Sequence, residues 1–132
     1  MTAFVDTSLL VRYLIGDPPD IAAVVIPIID GEENLLVPSS VITETAYVLG
    51  SVYKLPRETI VDHLVDLIHK GNLDTYGLDK AIVVQALLLC RPSNRVSFDD
   101  ALLWAAARSS GVNVVYALDK RFPEDGVEVQ GA

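Results

Sequence analysis

Residues 3–14 read AFVDTSLLVRYL. The apolar run Ala3-Phe4-Val5 meets Asp6, and polar Thr7-Ser8 opens a second apolar pattern at Leu9, Leu10, Tyr13 and Leu14. A short uniform run followed by helical spacing reads as a buried strand turning into a helix. A carboxylate therefore stands at the seam between the two.

The same alternation continues along the chain. A helix is expected from Ser8 to Ile15, closed by Gly16-Asp17-Pro18, and a second over Pro19–Ile29, with Ile21, Val24, Val25, Ile28 and Ile29 at helical spacing. Leu35-Leu36-Val37 reads as a strand, and Pro38-Ser39-Ser40 opens a helix carrying Val41, Ile42, Thr45, Ala46, Val48 and Leu49. Pro56 starts another, with Gly71 just past its end. Leu73–Tyr76 is a short strand, Asp79–Leu89 a helix stopped near Pro92, and Ser97–Ser109 an alanine-rich helix ended by Gly111. Val112–Leu118, β-branched and apolar, is the strongest strand signal. Asp119–Phe122 reads as a turn and Val127–Val129 as a last strand. Uniformly apolar strands alternating with helices imply an α/β fold whose parallel sheet is covered on both faces.

A chain of 132 residues is expected to be one domain over 1–132, with no repeat or linker. Half of it is apolar and 21% charged, which excludes a disordered chain. No stretch approaches a membrane span, and no basic-then-apolar leader precedes Asp6, so no signal peptide is expected. The single Cys90 cannot form an internal disulfide, which suits a reducing cytoplasm, and LLLCRP reads as core. The formal net charge is −8, from 10 Lys and Arg against 18 Asp and Glu. That balance argues against a general nucleic-acid binder. It is also the balance expected where acids gather around a cation.

Four acids stand out by location. Asp6 and Asp119 each end an apolar run; Glu44, in PSSVITETAYVL, and Asp100, in VSFDDALLWAAA, sit on mostly apolar helices. Each has a bland explanation. Asp6 can cap the next helix, Asp100 can close a capping box on Ser97, Asp119 can begin a turn, and Glu44 can face water. Together they can converge where strands end. Four unpaired carboxylates in one pocket repel, and a hard divalent cation such as Mg²⁺ removes that cost.

The segments FVDTSLL, ITETAYVL, FDDALLWAAA and VVYALDKRF, in that order, make the chain resemble the PIN-domain family, and within it the small VapC-like toxins. The resemblance runs from about Phe4 to Phe122. It implies a three-layer α/β/α sandwich with a central parallel sheet of four or five strands. It also implies a Mg²⁺- or Mn²⁺-dependent ribonuclease whose acids are Asp6, Glu44, Asp100 and Asp119, with Ser8 helping to hold the site. Two positions depart from the pattern. Ala117 stands where a hydroxyl is usual, two residues before Asp119, and Asp99 adds an acid beside Asp100. Adjacent helix residues point about 100° apart, so Asp99 and Asp100 do not share one metal.

On this reading Asp6, Asp100 and Asp119 hold the metal, and Glu44 ligates it or orients the attacking water. His63 and His69, six apart on one helix, are ordinary helix residues. Arg12, Lys54, Arg57, Arg91, Arg95, Lys120 and Arg121 are the candidates to steer RNA, with Arg12 and Lys120-Arg121 best placed after the strand-end acids. The bland alternative for each is a solvated surface. Apolar surplus on Val41–Leu49, Ile60–Ile68 and Ala81–Leu89 suggests association. The resemblance implies a homodimer and a cognate antitoxin. Two rivals remain: a receiver-like Mg²⁺-binding signalling domain and an inactive PIN-like binding module. The first wants an acidic pair at the first strand, where Asp6 has no acidic neighbour. The second draws support from Ala117. A haloacid-dehalogenase-like phosphatase wants an Asp where Ser8 stands.

Overall fold

The computed structural model describes residues 1–131. Ala132, the last residue of the expected domain, lies outside them. In chain order the elements are β1 (Thr2–Phe4), α1 (Thr7–Ile15), α2 (Pro19–Ile29), β2 (Asn34–Pro38), α3 (Ser39–Ser51) and α4 (Arg57–Ile68). They continue as β3 (Leu73–Tyr76), α5 (Lys80–Leu89), α6 (Phe98–Ser110), β4 (Val114–Tyr116) and β5 (Glu128–Gln130).

Local chemistry explains the helix ends. Asp6 caps α1 and Gly16 closes it at φ +74°, a conformation glycine takes without a Cβ penalty. Asp79 caps α5 by accepting from the N–H groups of Ala81 and Ile82. Ser97 caps α6, its Oγ accepting from Asp100 N at 3.0 Å. Pro19 stands at the first position of α2, where its missing N–H costs nothing.

All the strand pairing is parallel, as expected of an α/β protein. The expectation of one central sheet of four or five strands is corrected. Among the described residues β1-β2-β3 form a three-stranded sheet and β4-β5 a separate two-stranded one. β1 and β4 are three residues long, so joining the sheets through them would return only a few ladder bonds. The late strand is accordingly Val114–Tyr116, shorter than Val112–Leu118, because β5 offers only three residues to pair with.

The sheet faces also differ from the expected three layers. Leu35, Val37, Leu73 and Thr75 are at most 2% exposed, whereas Phe4, Asp74 and Tyr76 on the alternate positions are open. Val115 is buried between exposed Val114 and Tyr116. One face is covered and the other is not. Strands in sequence order, each joined by a right-handed crossover, carry both helical connections over the same face. On the open face the rings of Phe4 and Tyr76 meet edge to face, centroids 5.0 Å apart.

α3 is the middle of the helical layer and touches α1, α4 and α6. The core gathers Leu10, Ile42, Leu49, Leu64, Ile68, Val83 and Leu87, and Cys90 joins it with its thiol pKa pushed up by burial. The surplus apolar surface is only partly where the sequence put it, at exposed Tyr47 of α3 and Leu88 of α5. Ile60, Val61, Leu64, Leu67 and Ile68 of α4 are all core. Ile21, Val24, Ile26 and Ile28 of α2 are exposed instead.

Candidate active site

Val5 ends the first strand run by donating its N–H to Leu36 O at 3.0 Å. The next residue, Asp6, turns the chain into α1. Its Oδ1 accepts from Ser8 Oγ at 2.7 Å and from Leu9 N at 3.2 Å. Both bonds fall on one oxygen, and Oδ2 takes none from the described residues. The Ser8 hydroxyl, followed by the Leu9 amide, lowers the Asp6 pKa below 3.8. The bland reading of Asp6 as a cap is thus correct, and it still leaves an anionic oxygen free.

Glu44 lies exposed on α3, which packs on α1. Thr7, Ser8 and Arg12 of α1 line one groove with Glu44 and Val48 of α3. Asp6 and Glu44 therefore belong to one neighbourhood, joined through Ser8.

Asp100 sits half-buried in the first turn of α6. Asp119 lies in the turn after β4, and Arg121 folds back on it. Oδ1 accepts from Arg121 Nε at 3.0 Å and its backbone N at 2.9 Å, and Oδ2 accepts from Nη2 at 3.0 Å. The guanidinium lowers the Asp119 pKa. Arg121 is raised in turn, by Asp119 first and more weakly by Asp100. Asp100 and Asp119 are thus linked through Arg121.

Glu44 thus shares a groove with Ser8, the partner of Asp6, and Asp100 acts on Arg121, the partner of Asp119. Among the described residues no three His, Cys, Asp or Glu side chains stand close enough to hold a metal ion. The donor chemistry suits a hard cation: carboxylate oxygens, with Oδ2 of Asp6 accepting no hydrogen bond among the described residues. The arrangement is not a cage. Asp6 and Asp119 each turn to a local partner, Ser8 and Arg121, which offsets the repulsion that gathered carboxylates would feel.

Arg121, a sequence candidate to steer RNA, is ion-paired with Asp119 at 3.0 Å. Tyr53, whose hydroxyl accepts from Arg12 Nη1 at 2.9 Å, had no sequence signal, being 41 residues away. A larger cleft of about 500 Å³ lies elsewhere, lined by Tyr13, Asp30, His63, Asp66 and Lys70. Its Asp30 is already held by Tyr13 Oη at 2.6 Å and Lys70 Nζ at 2.7 Å.

The observations define a parallel α/β protein with acids where its strands end and the following helices begin. Residues 3–126 match the PIN domain family, and the chain belongs to it. PIN domains are in general nucleases. No curated protein matches the chain. No helix among the described residues is long and apolar enough to cross a membrane.

Proposed function

We propose that the protein is a metal-dependent endoribonuclease, the toxin of a toxin–antitoxin pair, acting through Asp6, Glu44, Asp100 and Asp119. The match to the PIN domain over residues 3–126 carries this reading, with all four acids of the resemblance present. Asp6, Asp100 and Glu44 would hold Mg²⁺ or Mn²⁺, and Asp119 would join once Arg121 lets go. When bound, such an ion neutralises charge on phosphoryl oxygens and lowers the pKa of water. Ser8 keeps Asp6 ionised and its Oδ2 outward. Glu44 is the exposed base beside it, placed to orient the attacking water. Ser97 fixes the turn from which Asp100 projects.

The VapC-like subtype, a cytoplasmic setting, a homodimer and an antitoxin belong to the same proposal. Exposed Ile21, Val24 and Ile28 at helical spacing on α2 support association. The test is labelled RNA incubated with Mn²⁺, Mg²⁺ or EDTA beside Asp6→Asn. Cleavage that needs the metal and disappears in the variant is expected; cleavage in EDTA contradicts the reading. Growth arrest on expression, relieved by Asp100→Asn, checks the toxin role.

A second reading, a non-cleaving PIN-like binding module, is favoured by the bidentate clasp of Arg121 on Asp119 and by Ala117. It expects RNA binding without cleavage in any metal. The family match leaves the receiver-like reading without support.

A further inference from the structure

We propose that the groove between α1 and α3 seats one unpaired nucleotide of an RNA substrate, its phosphate on Arg12 and its base against Val48, Val52 and Tyr53. The inference rests on the ribonuclease reading and deepens it. The groove encloses about 320 Å³, at the small end of ligand clefts, so it takes one nucleotide and not a duplex. Ser8 and Glu44 line it, so its occupant lies beside the acids.

Arg12 is the cation of the groove. Its Nη1 donates to Tyr53 Oη at 2.9 Å and to Asp17 O at 3.4 Å, which fixes the guanidinium plane. Among the described residues it makes no ion pair, and its Nε and Nη2 donate to none of them. A held, unpaired guanidinium is the side chain best suited to a phosphate. Apart from Thr7, the remaining lining is apolar, Val11, Val48 and Val52, with the Tyr53 ring among them. Flat bases pack well on such a surface, and single-stranded segments are the ones whose bases are free to enter.

The test is binding of a fluorescent single-stranded hexaribonucleotide in EDTA, where no metal supports cleavage. Arg12→Ala is expected to weaken binding about tenfold or more and to flatten the salt dependence by about one unit of slope. Tyr53→Ala should cost about tenfold, and Tyr53→Phe, which keeps the ring, about threefold or less. Val52→Trp, at an exposed position, fills the groove without touching the core and should also weaken binding. In cleavage assays Arg12→Ala should raise KM more than it lowers kcat. Unchanged affinity and salt slope in Arg12→Ala and Val52→Trp, with unchanged melting, overturns the proposal. So does a hexamer that wild type fails to bind, or a groove that takes only peptide. Binding through Arg12 without cleavage in any metal keeps the subsite and removes the nuclease. Cleavage with unaltered KM in Arg12→Ala does the reverse.

Discussion

Ser8 and Arg121 govern two of the four acids. Each lowers the pKa of its aspartate by hydrogen bonding, Ser8 through its hydroxyl and Arg121 through its guanidinium and then its backbone N–H. A folded pKa below the unfolded value of about 3.9 means stabilisation that is complete above that value. It is lost as pH falls through the folded pKa. Both carboxylates are therefore ionised throughout the neutral range, and the fold loses their support only under strongly acid conditions. In Ser8→Ala the Asp6 carboxyl should titrate upward, toward its ordinary value, in an NMR titration; an unmoved midpoint would refute the assignment. The accompanying stability loss should be small, about 0.5 kcal/mol, because the bond is exposed. Arg121→Ala should raise the Asp119 pKa. If Asp119 is a ligand, it should also tighten Mn²⁺ binding several-fold, and unchanged binding would remove Asp119 from the site.

At the scale of elements, Arg57 ties α4 to the loop that launches α6. Its Nε donates to Cys90 O at 2.5 Å, its Nη1 to Asn94 Oδ1 at 3.1 Å and its Nη2 to Val96 O. The guanidinium lies 4.6 Å from the centre of the Phe98 ring. The Ser97 cap and Asp100 follow directly. Arg57→Ala should destabilise the fold by about 2–3 kcal/mol, read as a lower urea midpoint, since partly buried carbonyls lose a charged donor. A midpoint within error of wild type would show the clamp to be idle. The sequence showed Arg57 only as a possible RNA contact, because its acceptors are backbone carbonyls 33 and 39 residues away. Helix α2 was legible to the residue, with Pro19 at its start and Asp30-Gly31 after its end. Capping is local chemistry. Strand pairing is not: nothing in Ala3–Val5 or Val112–Leu118 says which neighbour each run will accept. The division into three and two strands, and the open face of Phe4 and Tyr76, were for that reason out of reach.

For the whole molecule, the acids are spread over different elements. Glu44 of α3 shares a groove with Ser8, which holds Asp6, whereas Asp100 of α6 acts on Arg121, which holds Asp119 after β4. The identities of the four were readable as seams between apolar runs. Ser8 was readable beside Asp6 as well; the groove that brings Glu44 next to Ser8 was not, because the packing of α1 on α3 is set by the fold. The exposed aliphatics of α2 belong to this scale too. If the chain pairs with itself there, Val24→Glu should shift sedimentation toward the monomer without lowering the melting temperature, Val24 being 66% exposed. A wild-type chain already monomeric at high concentration would end that expectation.

The central claim is that one divalent ion draws Asp6, Glu44 and Asp100 together. Calorimetric titration with Mn²⁺ tests it most directly, on wild type and on Asp6→Asn and Asp100→Asn. The account predicts saturable uptake at millimolar concentration or tighter, weakened at least tenfold in both variants. No uptake by wild type, or equal uptake by all three, would contradict it.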